Sequence, residues 1–155
     1  MSTIEHTGEH ARTGPVAVGS GRQRARLARL AAVGGAIVAA LAVWFVAEVV
    51  LGLDLRQPAA SVGTQAEGIN AVHVVFSAAV GSLAGWALLA VAERLTARPR
   101  RVWTVIAVVA LVVSLGGPLS GSGITTSNRL ALLLMHVVVA AVVILALGRT
   151  ARARR

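Results

Sequence analysis

The chain has 155 residues, of which 56% are apolar and only 14% charged, with no cysteine and no tyrosine, and its mean hydropathy is +0.77. An ordinary soluble domain has roughly 45–50% apolar and about 25% charged residues, so the composition argues against one. The lack of cysteine excludes disulfide scaffolds, thiol redox enzymes and thiolate metal centres, while the formal charge of +9, carried by basic residues that are all arginine, must be explained by where those arginines fall.

In chain order, residues 1 to 26 predict a disordered basic tail, since 1 to 21 are rich in Gly, Ser, Thr and Glu and show no apolar period. His6 and His10 stand four apart, but the Gly- and Thr-rich setting does not favour a helix, and no metal is expected there. The first span, at about 30–53, runs uncharged from Leu30 to Ala47, is interrupted by Glu48 and ends near Leu53. Arg22 to Arg29 before it resemble the charged region of a secretory signal; the apolar run is too long for one and no small-residue cleavage site closes it, so it reads as a retained helix.

A loop with Asp54 and Arg56 leads to the second span, at about 70–92, and the loop 93–101 to the third, at about 102–117. The third is the shortest. Its apolar part is about 14 residues, Pro118 and neighbouring glycines are expected to stop it, and Trp103 beside Arg100 and Arg101 fits an interfacial anchor. Ser127 or Asn128 can cap the fourth span, at about 130–148, and residues 149–155 form a second basic tail. A helix needs about 20 residues at 1.5 Å each to cross a hydrocarbon layer of about 30 Å, so all four are credible spans. Residues 27–148 therefore predict an all-α integral membrane four-helix bundle.

Thirteen of the fifteen arginines lie in three clusters: Arg12, Arg22, Arg24, Arg26 and Arg29; Arg94, Arg98, Arg100 and Arg101; Arg149, Arg152, Arg154 and Arg155. Only Arg56 and Arg129 fall in the other two loops. The positive-inside rule then puts both termini in the cytoplasm, and the clusters are expected to meet anionic lipid headgroups rather than nucleic acid.

Lipid provides no hydrophobic drive between helices, so close packing must come from small residues. Ala32, Ala36 and Ala40 recur every four residues and lead to Trp44 and Glu48; His73, Ser77, Gly81 and Gly85 make a second stripe containing GxxxG. Thr104, Ala107, Ala110 and Ser114 do the same in the third span, and His136 with Ala140 in the fourth. Packing within one bundle is the expectation, with homodimerisation through Gly81 and Gly85 as the alternative.

Glu48, His73 and His136 are the ionisable residues inside the spans. Counted from the outer ends, all three lie about 9 to 10 Å deep at 1.5 Å per residue. A lone carboxylate there costs several kcal/mol, which predicts a polar cluster with Glu48 against His136 or His73 and with Ser77 and Ser114 as further partners. Such a cluster reads as a structural lock; the alternatives are a proton or substrate site and haem ligation by His73 and His136. The Gly121-x-Gly123 element lacks a P-loop's lysine, and no nucleophile with a base or metal cluster can be assembled, so neither enzymatic activity nor a cofactor or metal is expected.

The series VWFVAEVVLGLDLR at 43–56, GWALLAVAERLTARPRRVWT at 85–104, and SLGGPLSG with TTSNRLALLLMH at 114–136 resembles the bacterial four-helix membrane protein family catalogued as domain of unknown function 6069. The resemblance covers about residues 27 to 148 and implies a four-span integral membrane protein; it transfers no reaction, substrate or catalytic residue. The small multidrug transporters are also four short helices with a membrane glutamate in the first, but here Glu48 lies near the outer end, the loops and tail are longer and the aromatic lining is sparse. The expected function is therefore a multi-pass structural or interaction component of the bacterial plasma membrane, with membrane lipids, a second copy or another membrane protein as partners. The alternative is a homodimeric proton-coupled carrier of small molecules with Glu48 as its protonation site.

Overall fold

The computed structural model describes residues 18–59 and 65–151. His6, His10 and Arg12 lie outside them, as do Arg152, Arg154 and Arg155. Helix α1 spans Val18–Phe45 and runs on through one π-helical turn, Val46–Val50. Two short strands follow, β1 (Arg56–Gln57) and β2 (Glu67–Gly68), then α2 (Ala71–Leu95), α3 (Pro99–Ser114), α4 (Gly116–Ser120) and α5 (Thr126–Thr150).

Local chemistry sets the ends of these elements. The amide of Leu51 donates to Val46 O and that of Leu53 to Ala47 O, both at 2.9 Å. Gly52 then adopts φ +64, a left-handed conformation that suits glycine, and the helix stops. The side chain of Asn70 caps α2 by accepting from the His73 amide at 3.0 Å, and Pro99 opens α3 where its missing N–H is not needed.

Helix α1 begins at Val18, so the stretch 18–26 is helical rather than tail, and α5 continues to Thr150. Pro118 and its glycines do not end the third long helical stretch. Leu115 donates to Leu111 O and Leu119 to Leu115 O, and Pro118 sits in the first turn of α4, where its ring displaces no helical hydrogen bond. The helical stretch Pro99–Ser120 is thus 22 residues, or about 33 Å at 1.5 Å per residue. Helix α5 is capped by Thr125, whose hydroxyl accepts from the Asn128 amide at 3.2 Å, not by Ser127 or Asn128.

Four helical stretches, Gln23–Val50, Ala71–Leu95, Pro99–Ser120 and Thr126–Thr150, are long and apolar enough to cross a membrane. They form an up-and-down bundle in which α1 and α3 take opposite corners, each packed against α2 and α5. The start of α1, the end of α2, the start of α3 and the end of α5 meet at one arginine-rich end. There Ala32, Leu89, Ala92, Trp103 and Leu147 make one buried cluster. A second cluster, Ala40, Val74 and Ala78 with Trp44, Met135 and Val139 against it, lies nearer the other end. The expected alanine stripe is there: Ala32, Ala36 and Ala40 are all buried. Large apolar side chains such as Leu30, Val38, Phe76, Val105, Val112 and Leu134 face outward.

The end opposite the arginines is closed by its two loops. Strands β1 and β2 pair antiparallel, Arg56 opposite Gly68, and Ala59 forms a bridge with Ser122 from the other loop. This small ladder is an addition to the expected all-helical chain.

Candidate functional site

Three polar groupings and one cleft hold the chemistry of the described residues. At the arginine-rich end, Arg29 is buried although it belongs to a cluster expected to face lipid headgroups. Its guanidinium lies 2.6 Å from Glu93 Oε1, and it also donates to Thr150 Oγ1 at 3.0 Å and to Thr150 O at 3.2 Å. One side chain of α1 therefore ties α2 to the C-terminal carbonyl of α5, a position where a cation also meets the favourable end of the helix dipole. Neither Arg29 nor Glu93 stands inside an uncharged run, so hydropathy does not mark the pair. The signal was present, since Arg29 continues the Ala32, Ala36, Ala40 stripe by one turn and so shares its inward face.

Trp103 is the second grouping. It is fully buried, its Nε1 donates to Gly85 O at 2.9 Å, and its ring borders Gly148. An interfacial anchor would keep its polar edge in the headgroup layer; here the indole is a spacer between α2, α3 and α5, and its N–H is satisfied inside. Of the GxxxG pair, Gly85 packs on α5, where an added Cβ would meet Val143 at 3.3 Å and Leu147 at 3.7 Å. Gly81 has open space in front of it.

The third grouping stands at the loop end. Glu48 was expected to meet His136 or His73. Instead its Oε2 accepts from the Leu55 amide at 3.1 Å, because the π turn and Gly52 fold the chain back over the end of α1. Leu55, itself buried, accepts from the Ile69 amide at 2.8 Å, and Trp44 Nε1 donates to Ile69 O at 3.2 Å. Asn128, expected as a cap, is buried and faces Arg56: its Oδ1 accepts from the Arg56 amide at 3.3 Å and its Nδ2 donates to Arg56 O at 2.9 Å. Its amide thus stands on the free edge of β1 where a neighbouring strand would be. Arg129 donates to Leu119 O and Gly121 O, which satisfies the end of α4. Both arginines at this end are thus held locally, Arg56 by Asp54 at 2.8 Å.

Between the two ends lies a partly open cleft of about 1070 Å³. Here the structure brings together four of the five predicted polar residues, His73, Ser77, Ser114 and His136, and leaves out Glu48. Gly81, Ala107, Ala110 and Ala140 also border it, so these small residues leave a space where tight helix contact was expected. His136 Nδ1 lies 2.8 Å from Leu132 O, and Ser114 Oγ donates to Leu111 O at 2.7 Å. No Asp, Glu, Arg or Lys lines the cleft among the described residues, and no group of three metal-ligating side chains is present among them.

No curated protein and no solved structure matches the chain. A family match does cover residues 20–153, which includes every element of the bundle from the first turn of α1. The chain belongs to the family described as Family of unknown function (DUF6069).

Proposed function

We propose that this protein is a multi-pass component of a bacterial plasma membrane, with both termini cytoplasmic, that acts as a structural or interaction element without catalysis. The observation that carries the reading is the division of its surface. Large apolar side chains face outward along the four helices, a distribution suited to lipid and unsuited to water. Among the described arginines, Arg24, Arg26, Arg29, Arg94, Arg98, Arg100, Arg101 and Arg149 gather at one end, while Arg56 and Arg129 are engaged at the other. The gathered charge suits the cytoplasmic, anionic side.

The chain has no cysteine, so single cysteines report without background. Thr96→Cys is expected to react with an impermeant maleimide only after the cells are opened, and Gln65→Cys in intact spheroplasts. The reverse pattern overturns the orientation, and loss of the protein from carbonate-washed membranes overturns the membrane reading itself. For the interaction role, purification in mild detergent from the native host is expected to retain a membrane protein at fixed stoichiometry. A pH-driven flux in proteoliposomes that is lost in Glu48→Gln would replace this reading with the carrier. That variant can keep the Leu55 contact, because a glutamine oxygen still accepts.

A further inference from the structure

We infer that the cleft between α2, α3 and α5 is a binding site for a neutral lipid alcohol, a molecule with a long apolar body and a free hydroxyl head. The inference rests on the membrane reading only in that the ligand is drawn from the bilayer.

The first argument is volume. Protein interiors pack at a density near 0.74, and spaces much larger than a water molecule are few. The cleft, at about 1070 Å³, is at the upper end of pockets that hold organic ligands, roughly 300–1,000 Å³. It exists because glycine, alanine and serine line α2 and α3 where leucine would fill the bundle, Gly81 having nothing within 4 Å of its would-be Cβ. Lining of this apolar kind favours hydrocarbon over a column of water.

The second argument is charge. The described lining carries no carboxylate and no guanidinium. An alkyl ammonium would meet no carboxylate there and an anionic head no arginine or lysine, so each enters at a greater cost than a neutral head.

The third argument is the direction of the hydrogen bonds. Leu132 O can only accept, so the His136 Nδ1 beside it is placed to donate, and in that tautomer Nε2 is left as an acceptor. The hydroxyl protons of Ser114 and Ser120 are already given to Leu111 O and Gly116 O, which leaves oxygen lone pairs. An ester or ketone head has nothing to donate to these acceptors. A hydroxyl donates to one of them and can still accept from Ser77 or the His73 ring, both of which line the same space.

The test compares hexadecan-1-ol with its methyl ether, which has the same chain and no donor, on the full-length protein in detergent by tryptophan fluorescence and by native mass spectrometry. The alcohol is expected to bind about tenfold more tightly than the ether, the worth of one hydrogen bond, and this comparison needs no variant. His136→Leu is expected to reduce the preference and His136→Leu with Ser114→Ala and Ser120→Ala to abolish it, and Gly81→Leu to weaken the alcohol at least tenfold with the helical circular dichroism unchanged. Equal binding of alcohol and ether overturns the inference. So does stronger binding of palmitate or hexadecylamine, or a dimer dispersed by Gly81→Leu, which would assign the space to a second copy. Each of these readouts is independent of membrane orientation, so failure here and failure of the membrane reading are distinguishable.

Discussion

Arg29 and Glu93, 64 residues apart, lie 2.6 Å from each other, with side chains only 10% and 19% exposed. The same guanidinium reaches Thr150, so a single arginine within α1 holds the ends of α2 and α5 against that helix. Removing one partner of a buried pair costs roughly 3–5 kcal/mol, and partial exposure puts this one at or below the lower limit. Arg29→Met is therefore expected to lower the thermal midpoint in detergent clearly, by about 2–3 kcal/mol of stability. Arg29→Lys should restore only part of the loss, because an ammonium cannot hold Glu93 and two Thr150 oxygens with the same fork. Equal melting of Arg29→Met and the parent would show that the pair contributes nothing.

Asn128 offers a sharper contrast, since both ends of its amide bond the Arg56 backbone. Asn128→Ala removes both of its bonds to the Arg56 backbone and should cost about 1–2 kcal/mol. Asn128→Asp keeps the acceptor but sets an oxygen against the Arg56 carbonyl, and is expected to be at least as damaging. If the aspartate variant melts like the parent, the donor side of the contact is unimportant.

Trp103 separates hydrogen bonding from packing. Trp103→Phe keeps much of the ring volume and loses the bond to Gly85 O, for an expected loss of about 1 kcal/mol plus the cavity left by the smaller ring. Trp103→Ala should cost about 3–5 kcal/mol by emptying the space beside Leu89 and Leu147. A melting curve that ranks them the other way would contradict the burial of the indole.

Gly121 sits so close to Pro58 that an added Cβ would collide with the proline ring, and it is this contact that seats one of the two loops at this end on the other. Gly121→Ala is expected to separate the loops, exposing the Ala59 amide, which donates to Ser122 O, to hydrogen exchange while the helices stay protected. Unchanged exchange at Ala59 would show that the loops absorb the methyl group.

Ser82 is buried in α2 at 1% exposure, and its hydroxyl has no partner among the described residues. Ser82→Ala removes an unsatisfied group and improves helix propensity, so the thermal midpoint should rise, by about 1 kcal/mol of stability. A fall would reveal a partner for the hydroxyl.

Much of the architecture was already legible in the linear chain. Long uncharged runs marked out the four helices long and apolar enough to cross a membrane, because length and hydropathy are local properties that need no knowledge of neighbours. The alanine stripe of α1 was legible for the same reason: a four-residue repeat of small side chains marks one helix face. Depth along the helices placed His73 and His136 at one level, and both line the cleft.

The partners were decided by the tertiary structure. Depth does not fix rotation about a helix axis, so Glu48 could share a level with the histidines and still turn to the Leu55 amide, through a π turn that no hydropathy pattern reveals. Trp103 beside two arginines looked interfacial, yet the small residues Gly85 and Gly148 on other helices made room for its ring inside. The cleft is the clearest case. A stripe of small residues reads as close packing along one helix. Whether it closes or leaves a space depends on the side-chain volumes that the facing helices bring to the same level, a sum the sequence order does not contain.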